Sequence, residues 1–203
     1  MIAKEGSLRD RQRAQIRADI SRAAFRLFIE RGYDAATTEE IATAAGVSPR
    51  TLFRHVPTKE ELLLAPVRHG GAAIVNLLEQ RPTSESPDVA LVNAIITRTR
   101  SFDEADCEQW RQALLGAPGL LDKVTIHTPA DKERAMKLIA ERMGADPDAD
   151  IRPGLLVQLA FAAADFAFQQ WVRQAMAPRP LDRYVSEALE AVKSPHWERK
   201  SRS

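Results

Sequence analysis

Between Pro49 and Pro57 the chain has room for a helix of about two turns and no more, because proline suits the first helical position but ends a helix that meets it later. A helix this short does not stand alone in water, so its neighbours must hold it. Those neighbours carry their own helix signals. Ser48 is a good cap for the short helix, and Val47 and Leu52 flank that cap as a hydrophobic staple. Upstream, Thr37 and Glu40 are spaced as a capping box, and Ile41, Ala42 and Ala45 supply the inner face of a second short helix that Gly46 breaks. Ahead of both, Arg9 to Arg31 places Ile16, Ile20, Ala23, Ala24, Leu27 and Phe28 on one stripe, and Gly32 closes that helix.

The rest of the chain repeats the helical period. Thr58 and Glu61 open a fourth helix, within which Pro66 predicts a kink or a split. After a polar segment from Arg81 to Pro87, apolar spacing predicts helices at 88–101, 104–116, 118–126, 130–144, 149–175 and 181–193. No alternating stretch is flanked by hairpin turn residues. The expected fold is all-α, with about nine helices in two parts. Residues 1–57 form a three-helix domain with a helix-turn-helix, and residues 58–203 form a larger helical domain.

Charge separates the same two parts. The formal charge of +1 divides into +4 over residues 1–59 and −3 over the remainder, so a polyanion partner is expected at one end only. The single cysteine, Cys107, offers neither an internal disulfide nor a zinc framework, which fits a reducing cytoplasm. The first residues, Met1 to Glu5, carry no export signal. The longest apolar stretch, Leu155 to Phe168, is interrupted by Gln158 and Asp165 and falls short of the roughly 20 residues of a membrane span, so no membrane is expected. Asp103, Glu104, Asp106, Cys107 and His127 show no ligand spacing for a metal or nucleophile, and a glycine-rich phosphate loop is missing. We therefore expect no catalytic residue, no metal and no cofactor.

In the short third helix Leu52 and Val56 face inward, while Pro49, Arg50, Thr51, Arg54 and His55 face outward. Small, polar and cationic residues at the tip of a scaffolded helix suit entry into a DNA major groove. Arg50 is able to pair with a guanine edge, and the Thr51 methyl to meet a thymine methyl.

The segment from Phe28 to Leu62 resembles the DNA-binding domain of the TetR (tetracycline-repressor-like) family. The resemblance rests on Gly32-Tyr33, Thr38, Ile41-Ala42, Ala45 to Ser48, Thr51-Leu52, His55 and Lys59-Glu60. It implies phosphate contacts by Thr38, Ser48, Thr51, His55 and Lys59, and an approach to bases by Pro49, Arg50 and Thr51. Two positions depart from the family pattern. Phe53 stands where tyrosine is usual and lacks the hydroxyl that would reach a phosphate, and Val56 replaces a phenylalanine. Binding would then lean on Arg50, Arg54 and the basic arm of Lys4, Arg9, Arg11, Arg13 and Arg17.

The resemblance also implies that the C-terminal part binds a small effector and dimerises. Its last two helices would pair with their symmetry mates, the final one through Leu181, Val185, Leu189 and Val192. On the apolar helix at 149–175, Gln158, Asp165 and Gln169 share a face beside Phe161 and Phe168. That stripe either lines an effector pocket with Phe102, Trp110 and Leu114, or faces solvent or a dimer interface. The expected function is a ligand-responsive repressor that binds a palindromic DNA operator as a homodimer and is released by a small apolar effector, with the Pro66 helix as lever. An effector-independent or activating regulator is the alternative.

Overall fold

Helix caps decide where the elements begin, and buried apolar faces decide how they group. The computed structural model describes residues 8–100, 104–121, 124, 126–174 and 179–193. All its regular elements are helices. They are α1 (Leu8–Arg31), α2 (Thr38–Ala44), α3 (Pro49–His55), α4 (Lys59–Arg68), α5 (Gly70–Glu79), α6 (Pro87–Arg100), α7 (Glu104–Leu115), α8 (Pro118–Leu121), α9 (Pro129–Met143), α10 (Ile151–Val172) and α11 (Leu181–Lys193). Since α8 is a single turn and only His69 separates α4 from α5, nine principal helices remain among the described residues, and the fold is all-α as expected.

Two compact units form. One contains residues 1–66 together with 104–124, and the other contains 67–103 together with 125–203. Compactness thus divides the chain differently from a linear boundary at 57/58, because α7 returns to pack on α1 and α8 packs on α7.

In the first unit, the expected stripe of α1 is buried at Ile20, Ala23, Ala24, Leu27 and Phe28, with Ile16 only half-buried. α2, α3 and α7 all pack on α1, and Phe25, off that stripe, is buried too. On α7 the Trp110 indole N–H donates to the Leu63 carbonyl at 2.8 Å. Beside it Arg111 is buried and grips Glu108 with two donors, at 2.8 and 2.7 Å. An ion pair between Arg31 and Glu40 joins α1 to α2.

The second unit is built around α10, which packs against α6, α9 and α11, while α5 packs against α6 and α9. Its start depends on close approach. The Gly71 N–H donates to the Ile126 carbonyl at 3.0 Å, and a Cβ at Gly71 would lie 2.5 Å from an Asp131 carboxylate oxygen. That Asp131 closes a capping box with Thr128 at the head of α9. Of the helix expected at 118–126, the described residues form α8 over Pro118–Leu121, and the Ile126 carbonyl accepts from Gly71.

The α10 helix falls within the expected 149–175 and extends past the Leu155–Phe168 apolar stretch at both ends. It runs for 22 residues and contains an 18-residue window of mean hydropathy 1.3, which meets the length and composition of a membrane span. Val157, Phe161, Phe168, Trp171 and Val172 are nevertheless buried within the protein, as in the core helix of a globular unit.

Candidate nucleic-acid interface

The turn between α2 and α3 is set by backbone chemistry. Thr37 caps α2, accepting from the Glu40 N–H while the Glu40 carboxylate accepts from the Thr37 N–H at 3.0 Å. At the other end Gly46 adopts φ 69°, its N–H donates to Thr43, and the Val47 N–H reaches back to the Ala42 carbonyl at 3.0 Å. This is the paired closure of a helix whose next residue is left-handed, a conformation natural to glycine. Ser48 then caps α3 by accepting from the Thr51 N–H at 3.2 Å, and Pro49 takes the first helical position.

The α3 helix is anchored by Leu52 and by Val56 just past its end, both buried. Pro49, Arg50, Phe53 and Arg54 are exposed, and residues 50, 53 and 54 share one face by helical spacing. Neither Arg50 nor Arg54 meets a carboxylate among the described residues. A short rod thus presents two guanidinium groups and an aromatic edge, Phe53 being 47% exposed.

The remaining expected contacts are placed unequally. Thr51 is half-buried and its hydroxyl lies 3.0 Å from Ser48 Oγ, so its methyl is the part left for a base. Thr38, half-buried in the first turn of α2, directs its hydroxyl to Glu39 at 3.1 Å. Lys59 does not stand as a free cation. Its ammonium donates to the carbonyls of Tyr33 at 2.7 Å, Ala36 at 3.1 Å and Asp34 at 3.4 Å, which engages all three of its hydrogens. These bonds tie α4 to the turn after α1.

Electrostatics draw α1 into the same site. Burial, and then the charges of Arg54, Arg13 and Arg17, push the His55 imidazole below its ordinary range. Arg13 and Arg17 thus act on the same locus as the end of α3. Arg9, Arg11, Arg13 and Arg17 all lie on α1, whereas Lys4 falls outside the described residues.

The second unit holds a cavity of about 40 Å³ lined by Val67, Gly70, Ile74, Ile95, Arg98, Thr99, Ile126, His127, Ala164, Phe168, Leu181 and Val185. His127 is only 3% exposed and stacks on Phe161, with ring centroids 4.0 Å apart and 13° between planes. Its Nδ1 lies 2.9 Å from Asp165 Oδ1. That contact is not aligned as a hydrogen bond, and neither ring nitrogen has a hydrogen-bond partner among the described residues.

The residues expected to line an effector pocket are divided by this arrangement. Phe168 lines the cavity, Phe161 lies beneath His127, and Asp165 faces His127. Gln158 and Gln169 are exposed and do not line it, because the helix turns them away from the Phe168 side. Trp110 and Leu114 are buried in the first unit, and Phe102 lies outside the described residues. Arg98 and His127 were not among the expected pocket residues. The signal for Arg98 is its place with Ile95 and Thr99 on one helical face, while the sequence marks His127 only as a metal or nucleophile candidate.

Comparison with known proteins bears on both units. The sequence profile of bacterial regulatory proteins of the tetR family matches residues 20–65, and that of the MftR C-terminal domain matches residues 85–196. The HTH-type transcriptional regulator TcmR of Streptomyces glaucescens is 33% identical over 176 residues, covering 83% of this chain and 78% of TcmR. The HTH-type transcriptional activator FasR of Mycolicibacterium smegmatis is 28% identical over 142 residues, covering 68% of this chain and 63% of FasR. Among solved structures, that of NalD, the secondary repressor of the MexAB-OprM multidrug efflux pump in Pseudomonas aeruginosa, superposes with a TM-score of 0.57. It covers 89% of this chain and 96% of NalD at 20% identity, a likeness of fold.

Proposed function

The chain belongs to the tetR family of bacterial regulatory proteins, and we propose that it works there as a ligand-responsive repressor, a homodimer that binds a palindromic operator and releases it when a small apolar effector enters the second unit. Its function is regulatory and not catalytic. The observation that carries the proposal is the exposed face of α3, where Arg50, Phe53 and Arg54 meet no carboxylate among the described residues, on a helix anchored by Leu52 and Val56. Arg13 and Arg17 extend the cationic surface. Each phosphate these groups neutralise adds salt-dependent affinity. A chromosomal operator as partner puts the site of action in the cytoplasm.

One seven-residue helix makes few base contacts, and two related by a two-fold axis would read half-sites ~34–36 Å apart. The pairing surface is supported by α10, which exposes Ile151, Leu155, Leu159 and Phe166, the last at 61%. Contiguous exposed apolar side chains of this kind mark an association surface.

Effector control is supported by the cavity. Its 40 Å³ is far below the roughly 300–1,000 Å³ of ordinary ligand sites, so a ligand would select a conformer in which the surrounding helices have moved apart. Each passage of the chain between the two units adjoins a lining residue in sequence. Val67 opens the second unit, Thr99 precedes its exit at Asp103 by four residues, and Ile126 follows its re-entry at Thr125. A ligand that shifts these residues acts on all three connections to the DNA-binding unit.

Footprinting on the promoter beside the gene tests the reading. The expected result is a palindromic footprint that weakens with salt and is lost in Arg50→Ala/Thr51→Ala. Binding that ignores both salt and this double substitution would refute it. Reporter expression with and without the gene then separates repression from activation, the role named for FasR.

A further inference from the structure

The polar residues that line the cavity of the second unit are Arg98, Thr99 and His127. Arg98 already interacts within the protein. Thr99 gives its hydroxyl hydrogen to the Ile96 carbonyl at 2.8 Å, which leaves its oxygen as an acceptor. His127 is held on both flanks: the Ile126 carbonyl accepts from the Gly71 N–H, and Thr128 caps α9. Phe161 covers one face of its ring. Its Nδ1 edge meets Asp165 Oδ1 at 2.9 Å. Two lone pairs facing each other at that separation would repel. Bent though the contact is, the neutral ring therefore carries its hydrogen on Nδ1, and Nε2 is left as an acceptor. That nitrogen is buried without a hydrogen-bond partner among the described residues. A buried acceptor in that state forfeits its hydration, and a guest that donates to it recovers the loss.

Resting on the reading of this unit as an effector domain, we propose that the cavity binds neutral apolar hydroxyl compounds, alcohols and phenols, whose O–H donates to His127 Nε2 while the alkyl or aryl part lies against Ile95, Phe168 and Val185. Asp165 acts as a positioning residue, holding the hydrogen on Nδ1 so that Nε2 meets the guest as an acceptor. A carboxylate would set its own lone pairs against Nε2 and the Thr99 oxygen. An ammonium would enter a wall whose described residues include no carboxylate, a costly place for a charge. An ether or a fluoroarene of the same shape has no hydrogen to give.

The test uses the full-length protein at pH 8, above the ordinary imidazole range. The probes are 1-hexanol, its isomer 1-methoxypentane, hexanoate and hexylamine, then 4-ethylphenol with 1-ethyl-4-fluorobenzene. Calorimetry should show each hydroxyl compound binding at least tenfold more tightly than its partners. In His127→Phe, checked for folding by circular dichroism, 4-ethylphenol and the fluoroarene should bind alike. In the unaltered protein, nitrogen-15 spectra should show the hydrogen of His127 on Nδ1, and the bare Nε2 signal should shift on adding 4-ethylphenol, a readout that depends on no variant folding. Asp165→Leu should turn that spectrum into a mixture of the two tautomers. Ethers or acids that bind as tightly as alcohols, a hydrogen found on Nε2, an unmoved Nε2 signal, or a folded His127→Phe that keeps the hydroxyl preference would each overturn the assignment. Hydroxyl compounds that bind through His127 without altering operator affinity would uphold the site and remove the effector reading. Operator release by other compounds, unaffected in His127→Phe, with no binding of the hydroxyl probes would uphold the effector reading and overturn the site.

Discussion

Lys59 donates from Nζ to the Tyr33 carbonyl at 2.7 Å and lies 4.4 Å from the centre of the same residue's ring. Two further carbonyls, of Asp34 and Ala36, complete its hydrogen bonds. The lysine is therefore a fastener of the DNA-binding unit. Lys59→Met should cost about 1–3 kcal/mol of stability, since buried or half-buried carbonyls lose a charged donor. It should leave the slope of operator affinity against salt unchanged. Arg54→Ala should do the reverse, lowering that slope by about one with little change in stability. Urea melts and salt titrations of binding check both.

Phe53 is half-exposed between the two arginines of α3. Phe53→Tyr adds a hydroxyl on the face proposed to meet the duplex. We expect tighter operator binding by about 0.5–1.5 kcal/mol, the net value of one added hydrogen bond, with unchanged stability. Fluorescence anisotropy on a labelled operator measures the change, and unaltered affinity would place Phe53 away from the phosphates.

His55 links the interface to pH. Burial and the charges of Arg54, Arg13 and Arg17 lower its affinity for a proton in the folded chain. The unfolded chain takes that proton below about pH 6.5, so this contribution to stability is present at neutral pH and is lost as pH falls. Bound DNA reverses the sign, because phosphates offset the arginine charges and favour the imidazolium. Operator affinity should therefore rise below about pH 6.5 while the free protein loses stability. His55→Gln should remove both trends.

Gly71 has no room for a side chain. An added Cβ would lie 2.5 Å from Asp131 Oδ2 and 3.0 Å from the Ile126 carbonyl. Gly71→Ala should cost about 1–3 kcal/mol by overpacking and disturb the capping box of α9. Thermal unfolding checks it, and a neutral result would mean that the Ile126–Asp131 segment yields easily.

The exposed apolar side of α10 gives the proposed dimer a direct test. Leu155→Glu with Phe166→Glu places charges where Leu155 is 53% exposed and Phe166 61% exposed in the single chain. Analytical ultracentrifugation should find a folded monomer with greatly weakened operator binding. A stable dimer would move the interface elsewhere.

Local chemistry was enough to specify the short elements of the DNA-binding unit. The Thr37–Glu40 capping box, the Gly46 closure and the Ser48–Pro49 start of α3 all depend on residues within a few positions of one another, and such signals are written in the order of the chain. The inward pair Leu52 and Val56 followed from spacing alone. What the sequence could not decide were relations between distant residues. That α7 packs on α1, that Lys59 is held by the turn after α1, and that His127 meets Asp165 on α10 depend on contacts between segments far apart in the chain. Periodicity tells which face of a helix is apolar but not which partner covers it. It grouped Gln158 and Gln169 with Asp165, whereas packing left both glutamines exposed and set Asp165 against a buried histidine.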